Sequence, residues 1–210
     1  PEQEWELYAL DQQINDRGVR VDRLLVKQAM RVDQAFSEQA FQRAQELTGL
    51  ENPGSVNQLK AWLADQNMPM ESLAKKLVQE KAKDAGGVVA DLLNLRLELS
   101  KTSVKKYEAI ARCLCRDGRV HGLLQFYGAS RTGRWAGRLV QAQNLPQNHL
   151  PDLNLAREMV KTGDEQLIEI LFGSVPNTLS ELIRTAFIPK DGCRFIVADF
   201  SAIEARVLAW

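Results

Sequence analysis

The sequence predicts a mainly α fold with a small β portion, an α+β arrangement, and three observations predict it. Apolar residues recur at helical spacing through almost all of the first half. Only two stretches, Arg119 to Tyr127 and Arg194 to Ala198, read as strands. Pairs such as Pro53-Gly54, Gly86-Gly87 and Asp117-Gly118 punctuate the chain at intervals that suit helices.

In chain order, Glu2 to Asn15 carries Trp5, Leu7, Tyr8 and Leu10 ahead of an Asp16-Arg17-Gly18 turn. Asp22 then opens a long helix that should end near Thr48-Gly49. Ser55 suits the N-cap of a helix over Val56 to Gln66, Met68-Pro69 ends it, and Glu71 to Lys83 makes a shorter one. The longest helix is expected from about Val89 to Cys115. There Leu92, Leu95, Leu99, Val104, Ile110 and Leu114 can face a core while Lys101, Lys105, Arg112 and Arg116 point elsewhere. A helical interval from about Leu153 to Leu182, broken near Gly163 and Val175-Pro176, precedes the second strand. That strand is apolar and should be buried. It delivers Asp199 to the start of a last helix, for which Ser201 suits the N-cap and Glu204 completes a capping box.

Twenty-seven basic and 27 acidic residues balance to a net charge of zero, so the whole molecule does not advertise a polyanionic partner. Between positions 96 and 138, however, ten basic residues (Arg96, Lys101, Lys105, Lys106, Arg112, Arg116, Arg119, Arg131, Arg134, Arg138) face three acids (Glu98, Glu108, Asp117). A local excess of this kind is the electrostatic footprint of a nucleic-acid surface, although many surface helices carry such charge for solubility alone. The three cysteines, Cys113, Cys115 and Cys193, lack zinc spacing and fit reduced thiols. No apolar run is long enough for a membrane span, and the acidic start PEQEWELYALD is no signal peptide. A cytoplasmic protein is expected. Taken singly, Asp199 reads as a turn residue or helix cap, Glu204 as a solvated helix residue, and Arg131 to Arg134 as a charged turn.

Together these residues carry a resemblance. The stretch LIRTAFIPKDGCRFIVADFSAIEARVLAW, Leu182 to Trp210, resembles motif A of the family A DNA polymerases, whose core reads roughly D-Y-S-Q-I-E-L-R. Asp199, Ser201, Ile203, Glu204 and Arg206 match, whereas Phe200, Ala202 and Ala205 replace the usual Tyr, Gln and Leu. Upstream, RTGRWAGRLVQAQNLPQ, Arg131 to Gln147, is similar to the family's T-G-R and N-L-Q-N-I-P segments, with Gln141 where the family often has Asn. Weaker echoes lie in INDRGVRVD, Ile14 to Asp22, and NPGSVNQLKAWL, Asn52 to Leu63.

The resemblance implies a right-hand polymerase: residues 1–117 as the helical thumb and its base, and 118–210 as the start of the palm with a helical insertion at about 150–185. It implies that Lys101, Lys105 and Lys106 grip duplex phosphates. Arg131, Thr132 and Arg134 would meet the minor groove near the primer terminus, and Gln141, Gln143 and Asn144 the template or primer nearby. Asp199 would be the catalytic, metal-binding carboxylate, joined by the Phe200 carbonyl, with two Mg²⁺ ions in the complete enzyme. Ser201, Ile203 and Glu204 would line the nucleotide pocket, Glu204 as the gate that selects deoxynucleotides. The partners are then primer-template DNA and a deoxynucleoside triphosphate. The family's fingers helix and later H-D-E motif do not occur in this sequence, so the chain alone is expected to be inactive. A non-enzymatic duplex-binding module is the alternative, and a purely structural helical scaffold predicts no nucleic-acid affinity. Likeness leans toward a phage or bacterial member.

Overall fold

One helix organises the molecule. The computed structural model describes residues 2–101 and 104–210, and its longest element is α2, Arg23–Thr48, 26 residues. Both ends are set locally. Asp22 sits in extended conformation at the N-cap and its carboxylate accepts a hydrogen bond from the Leu25 N–H at 3.0 Å. Gly49 ends the helix in left-handed conformation, φ 67°, donating its N–H to the Gln45 carbonyl, a geometry that costs glycine nothing.

Two apolar cores form along α2. Near its start, Leu25, Val26, Ala29 and Val32 pack with Tyr107 and Ile110 of α6 (Lys105–Cys113) and with Ala156, Val160, Ile168, Val175, Leu179 and Leu182. The latter six lie on α7 (Leu153–Thr162), α8 (Glu165–Phe172) and α9 (Val175–Leu182). We call this half the base. Near its end, Ala44 joins the second core, the tip, with Leu59 and Leu63 of α3 (Val56–Asp65), Val78 of α4 (Lys75–Asp84), and Leu92 and Leu93 of α5 (Gly87–Leu99). The helices of the expected insertion are thus part of the base core, held there by their own caps: Asp152, Asp164 and Ser174 at the starts, Gly163 and Gly173 in left-handed conformation after two of the ends.

The first helix, α1 (Glu2–Arg17), inverts the usual pattern: its buried residue is Asp11, while Trp5, Leu7, Tyr8, Leu10 and Ile14 are exposed. Asn15 ties it to the rest, its Nδ2 donating to the Leu124 carbonyl at 3.0 Å and its Oδ1 accepting from the Leu124 N–H at 2.9 Å. The short strands follow. Val19–Val21 (β1) is the centre of a three-stranded antiparallel sheet, flanked by Arg119–Val120 (β2) and Phe187–Ile188 (β5), with Val19 opposite Val120 and Val21 opposite Phe187. Leu124–Ala129 (β3) and Arg134–Gly137 (β4) form a separate hairpin.

Four expectations are corrected. The long helix from Val89 to Cys115 is two helices, because the Ser100 hydroxyl donates to the Leu97 carbonyl and draws off a helix acceptor as α5 ends. Thr102 and Ser103, which that helix included, lie outside the described residues. The strand from Arg119 to Tyr127 is interrupted at His121-Gly122, where Gly122 takes φ +66°. The helix expected from Glu71 begins at Lys75, after the Ser72 hydroxyl accepts the Ala74 N–H. Most consequentially, Arg194 to Ala198 form no strand and are exposed, Ile196 at 84% and Val197 at 91%. A strand needs a neighbour for its backbone groups, and among the described residues none pairs with this segment.

Candidate nucleic-acid interface

The hairpin and the segment after it carry the predicted binding residues from Arg131 to Asn144. Its turn closes through the Ala129 carbonyl, which accepts from the Thr132 N–H at 3.0 Å and the Gly133 N–H at 2.9 Å. Gly133 holds φ +66° beneath the Tyr127 ring, so a Cβ there would lie 2.8 Å from the ring. Arg131, Thr132 and Arg134 are exposed around this turn. Beyond β4 the chain folds back through a 3₁₀ turn, Ala142–Asn144, entered by Gln141 at φ 53°. The Asn144 side chain donates to Gln141 Oε1 at 3.2 Å. The Gln143 carboxamide crosses β4 at Gly137, where a Cβ would sit 2.0 Å from Gln143 Oε1, so a side chain there would make the flexible Gln143 carboxamide swing aside.

Two features here escaped the sequence reading. The first is Arg184, whose guanidinium donates to the Leu145 carbonyl (Nη2, 2.7 Å) and to the Pro146 carbonyl (Nε, 2.8 Å), pinning the segment after the 3₁₀ turn to the base. It stands within the quoted motif, but its only sequence signal is a lone basic residue in an apolar run. The second is an aromatic ladder between α1 and the hairpin. Trp5 meets Tyr8 (6.0 Å), Tyr8 meets Phe126 (5.8 Å), and Phe126 meets Trp135 (6.1 Å), all edge to face, an arrangement that aromatic quadrupoles favour.

The three lysines expected to grip phosphate differ in their freedom. Lys105 is exposed, Lys106 donates to the Val140 carbonyl at 3.0 Å, and Lys101 is half-buried with its ammonium on Asn177 Oδ1. Burial pulls the Lys101 ammonium below the usual lysine range. Nearby, His121 has both ring nitrogens against acceptors, Nδ1 2.9 Å from the Asp16 carbonyl and Nε2 3.0 Å from Asp117 Oδ2. Only the imidazolium can donate to both, and the bond to Asp117 holds its pKa above the usual histidine value.

Asp199, Phe200, Ser201, Ile203 and Glu204 are all exposed, at and before the start of α10, Ile203–Ala209. The expected Ser201 cap is corrected: Ala202 holds the N-cap position in left-handed conformation, φ 52°, and Arg206 Nε donates to the Ser201 carbonyl at 3.0 Å to brace the turn. Asp199 has no hydrogen bond or ion pair among the described residues, and no group of three or more His, Cys, Asp or Glu side chains forms among them that could hold a metal ion. A hard cation accepts a carboxylate and a backbone carbonyl of this kind, but two oxygens are a fraction of the six that Mg²⁺ demands. The two predicted motifs nevertheless meet, Arg134 Nη2 lying 3.7 Å from Glu204 Oε1.

The described residues thus form a mainly helical chain with two small antiparallel sheets, and an exposed basic hairpin turn lies beside the helix start that follows Asp199. The comparisons supply the family. The model of DNA polymerase family A matches residues 24–210, and the chain belongs to that family. It is similar to the DNA polymerase of Bacillus phage SP02, with 56% identity over 210 residues, all of this chain and 32% of that protein. The chain therefore spans about a third of the length of that relative. No solved structure matches it. No helix among the described residues is long and apolar enough to cross a membrane.

Proposed function

We propose that this chain is the thumb, residues 1–117, and the opening part of the palm, 118–210, of a DNA-directed DNA polymerase. It binds primer-template duplex and supplies one metal-binding carboxylate for nucleotidyl transfer. The single observation that carries the reading is the meeting of Arg134 and Glu204, since the residue proposed to read the primer terminus and the one proposed to select the sugar then border one site.

Phosphate contacts from Lys105, Arg131 and the exposed basic residues around them would fix the duplex without reading its sequence. Arg134 reaches minor-groove acceptors, whose positions are shared by all correct pairs, while Thr132, Gln141, Gln143 and Asn144 contact the strands beside it. Asp199 and the Phe200 carbonyl contribute oxygens to Mg²⁺, two ions serving the complete enzyme. When bound, the metal would supply charge stabilisation for attack of the primer 3′ hydroxyl on the α-phosphate of a deoxynucleoside triphosphate, with pyrophosphate as the leaving group. Ser201, Ile203 and Glu204 line the pocket for that nucleotide. By itself this chain has one of the carboxylates and is inactive. Its working compartment is the cytoplasm of a bacterial cell.

Fluorescence anisotropy with primer-template duplex and with single strand, across salt, tests this. Duplex is expected to bind more tightly, with affinity falling steeply as salt rises, and Arg134→Ala is expected to weaken it about tenfold. Equal affinity for both forms, or none for either, refutes the duplex-binding reading.

A further inference from the structure

Tip and base are joined by two covalent links. One is α2, a continuous helix that contributes to both cores; the other is the connection from α5 to α6. Helix α2 gives the base core Leu25, Val26, Ala29 and Val32 but the tip core only Ala44 among its buried residues, so the angle between tip and base depends also on what holds the second link.

Helix α9 bonds to described residues on both sides of that connection. On the α5 side, the Ser174 hydroxyl donates to Glu98 Oε1 at 3.3 Å, while its oxygen accepts the Asn177 N–H as the cap of α9. At the junction, the half-buried Lys101 ammonium rests on Asn177 Oδ1. On the α6 side, the Tyr107 hydroxyl donates to the Leu179 carbonyl at 2.8 Å, wholly buried. These three contacts come from the N-cap and the first turns of one short helix, whose Val175, Leu179 and Leu182 side chains are anchored in the base core.

We propose that α9 is a splint across the α5–α6 link, and that Ser174 and Asn177 are positioning residues that set the angle at which the tip meets bound duplex. Resting on the duplex-binding reading for its functional meaning, the splint assigns a task to the helical interval from α7 to α9. It also gives Lys101 a structural partner in place of a phosphate. Duplex gripped between base and tip then encounters a preset angle, and the ordering cost at binding is correspondingly small.

The test measures the angle directly and without DNA. With Cys113, Cys115 and Cys193 replaced by Ser, spin labels at Lys83→Cys on α4 and Arg112→Cys on α6 report the distance between tip and base by pulsed electron resonance. The splint predicts one narrow distribution for the otherwise native chain. It predicts a distribution about twice as wide for Ser174→Ala/Asn177→Ala, as expected when hinge motion is released. Lys101→Met, which keeps the apolar stem and loses the Asn177 contact, is expected to widen it in the same sense and serves if the double variant does not fold. Unchanged width in a folded variant overturns the splint. The two readings fail separately: widening in a chain that does not bind duplex removes the duplex reading alone, whereas tight duplex binding with unchanged width removes the splint alone.

Discussion

Replacing Asp22 by Ala is expected to lower the unfolding free energy by about 4 kcal/mol, the largest stability effect of any single change considered for this chain. Three bonds converge on that carboxylate. Oδ1 accepts the Leu25 N–H at the start of α2, and Oδ2 accepts from Arg157 Nη2 at 2.6 Å and Lys161 Nζ at 3.1 Å, both on α7. The side chains of Asp22, Arg157 and Lys161 are 13%, 15% and 21% exposed, so the pairs are largely shielded from water. Losing the cap costs about 1 kcal/mol, and leaving two shielded cations without their anion costs about 3 kcal/mol more. Asp22→Asn keeps the acceptor for Leu25 and removes the charge, so it should fall about midway. Urea denaturation measures both, and a loss below about 1 kcal/mol for Asp22→Ala would show that the triad adds little.

The same carboxylate sets an acid limit. Burial alone would push its pKa up, but the Leu25 N–H and the Lys161 and Arg157 cations outweigh that and hold it below the ordinary 3.8. A group lowered on folding stabilises fully above its unfolded pKa, and the contribution disappears as pH falls through the lowered value. The native chain should therefore lose stability below about pH 4 more steeply than Asp22→Ala does.

The second large effect concerns chemistry. In a full-length polymerase that contains this chain, the proposed metal-binding role of Asp199 predicts that Asp199→Ala reduces primer extension about a thousandfold, because a metal ligand contributes several kcal/mol to charge stabilisation in the transition state. Duplex affinity should stay within about twofold, since an anionic side chain adds nothing to the proposed phosphate contacts. Steady-state extension assays beside anisotropy separate the two terms. Extension retained above about a tenth of the native rate would remove Asp199 from the catalytic centre.

Elements defined by local chemistry were legible in the sequence. Asp22 and Gly49 bound α2 through caps that involve residues three or four positions away, and Gly163 punctuates α7 in the same way. Features that depend on distant partners were not. Arg134 to Gly137 has no strand-like alternation and becomes β4 because β3 lies beside it. The Asp22 triad and the Arg184 anchor join segments far apart in the chain. Arg194 to Ala198 shows the opposite failure, an apolar run that reads as a strand but has no pairing neighbour among the described residues. The candidate site residues were named by likeness to a family, not by periodicity, and likeness carries no information on contacts such as those of Lys101 with Asn177 and Lys106 with Val140.

The path of α2 through both cores also bears on the order of assembly. The tip closes contacts within residues 44–97, whereas the base must bring Val21 to Phe187 and Arg20 to Ile188. Loop closure over so long a span is slow, and a chain emerging from the ribosome finishes its tip before the base strand β5 exists. Pulsed amide labelling during refolding should accordingly protect Leu59 to Leu93 before Val19 to Val21, and simultaneous protection would mean one cooperative unit. The C-terminal half of α2 is then folded first and serves as the template on which the other half is wound.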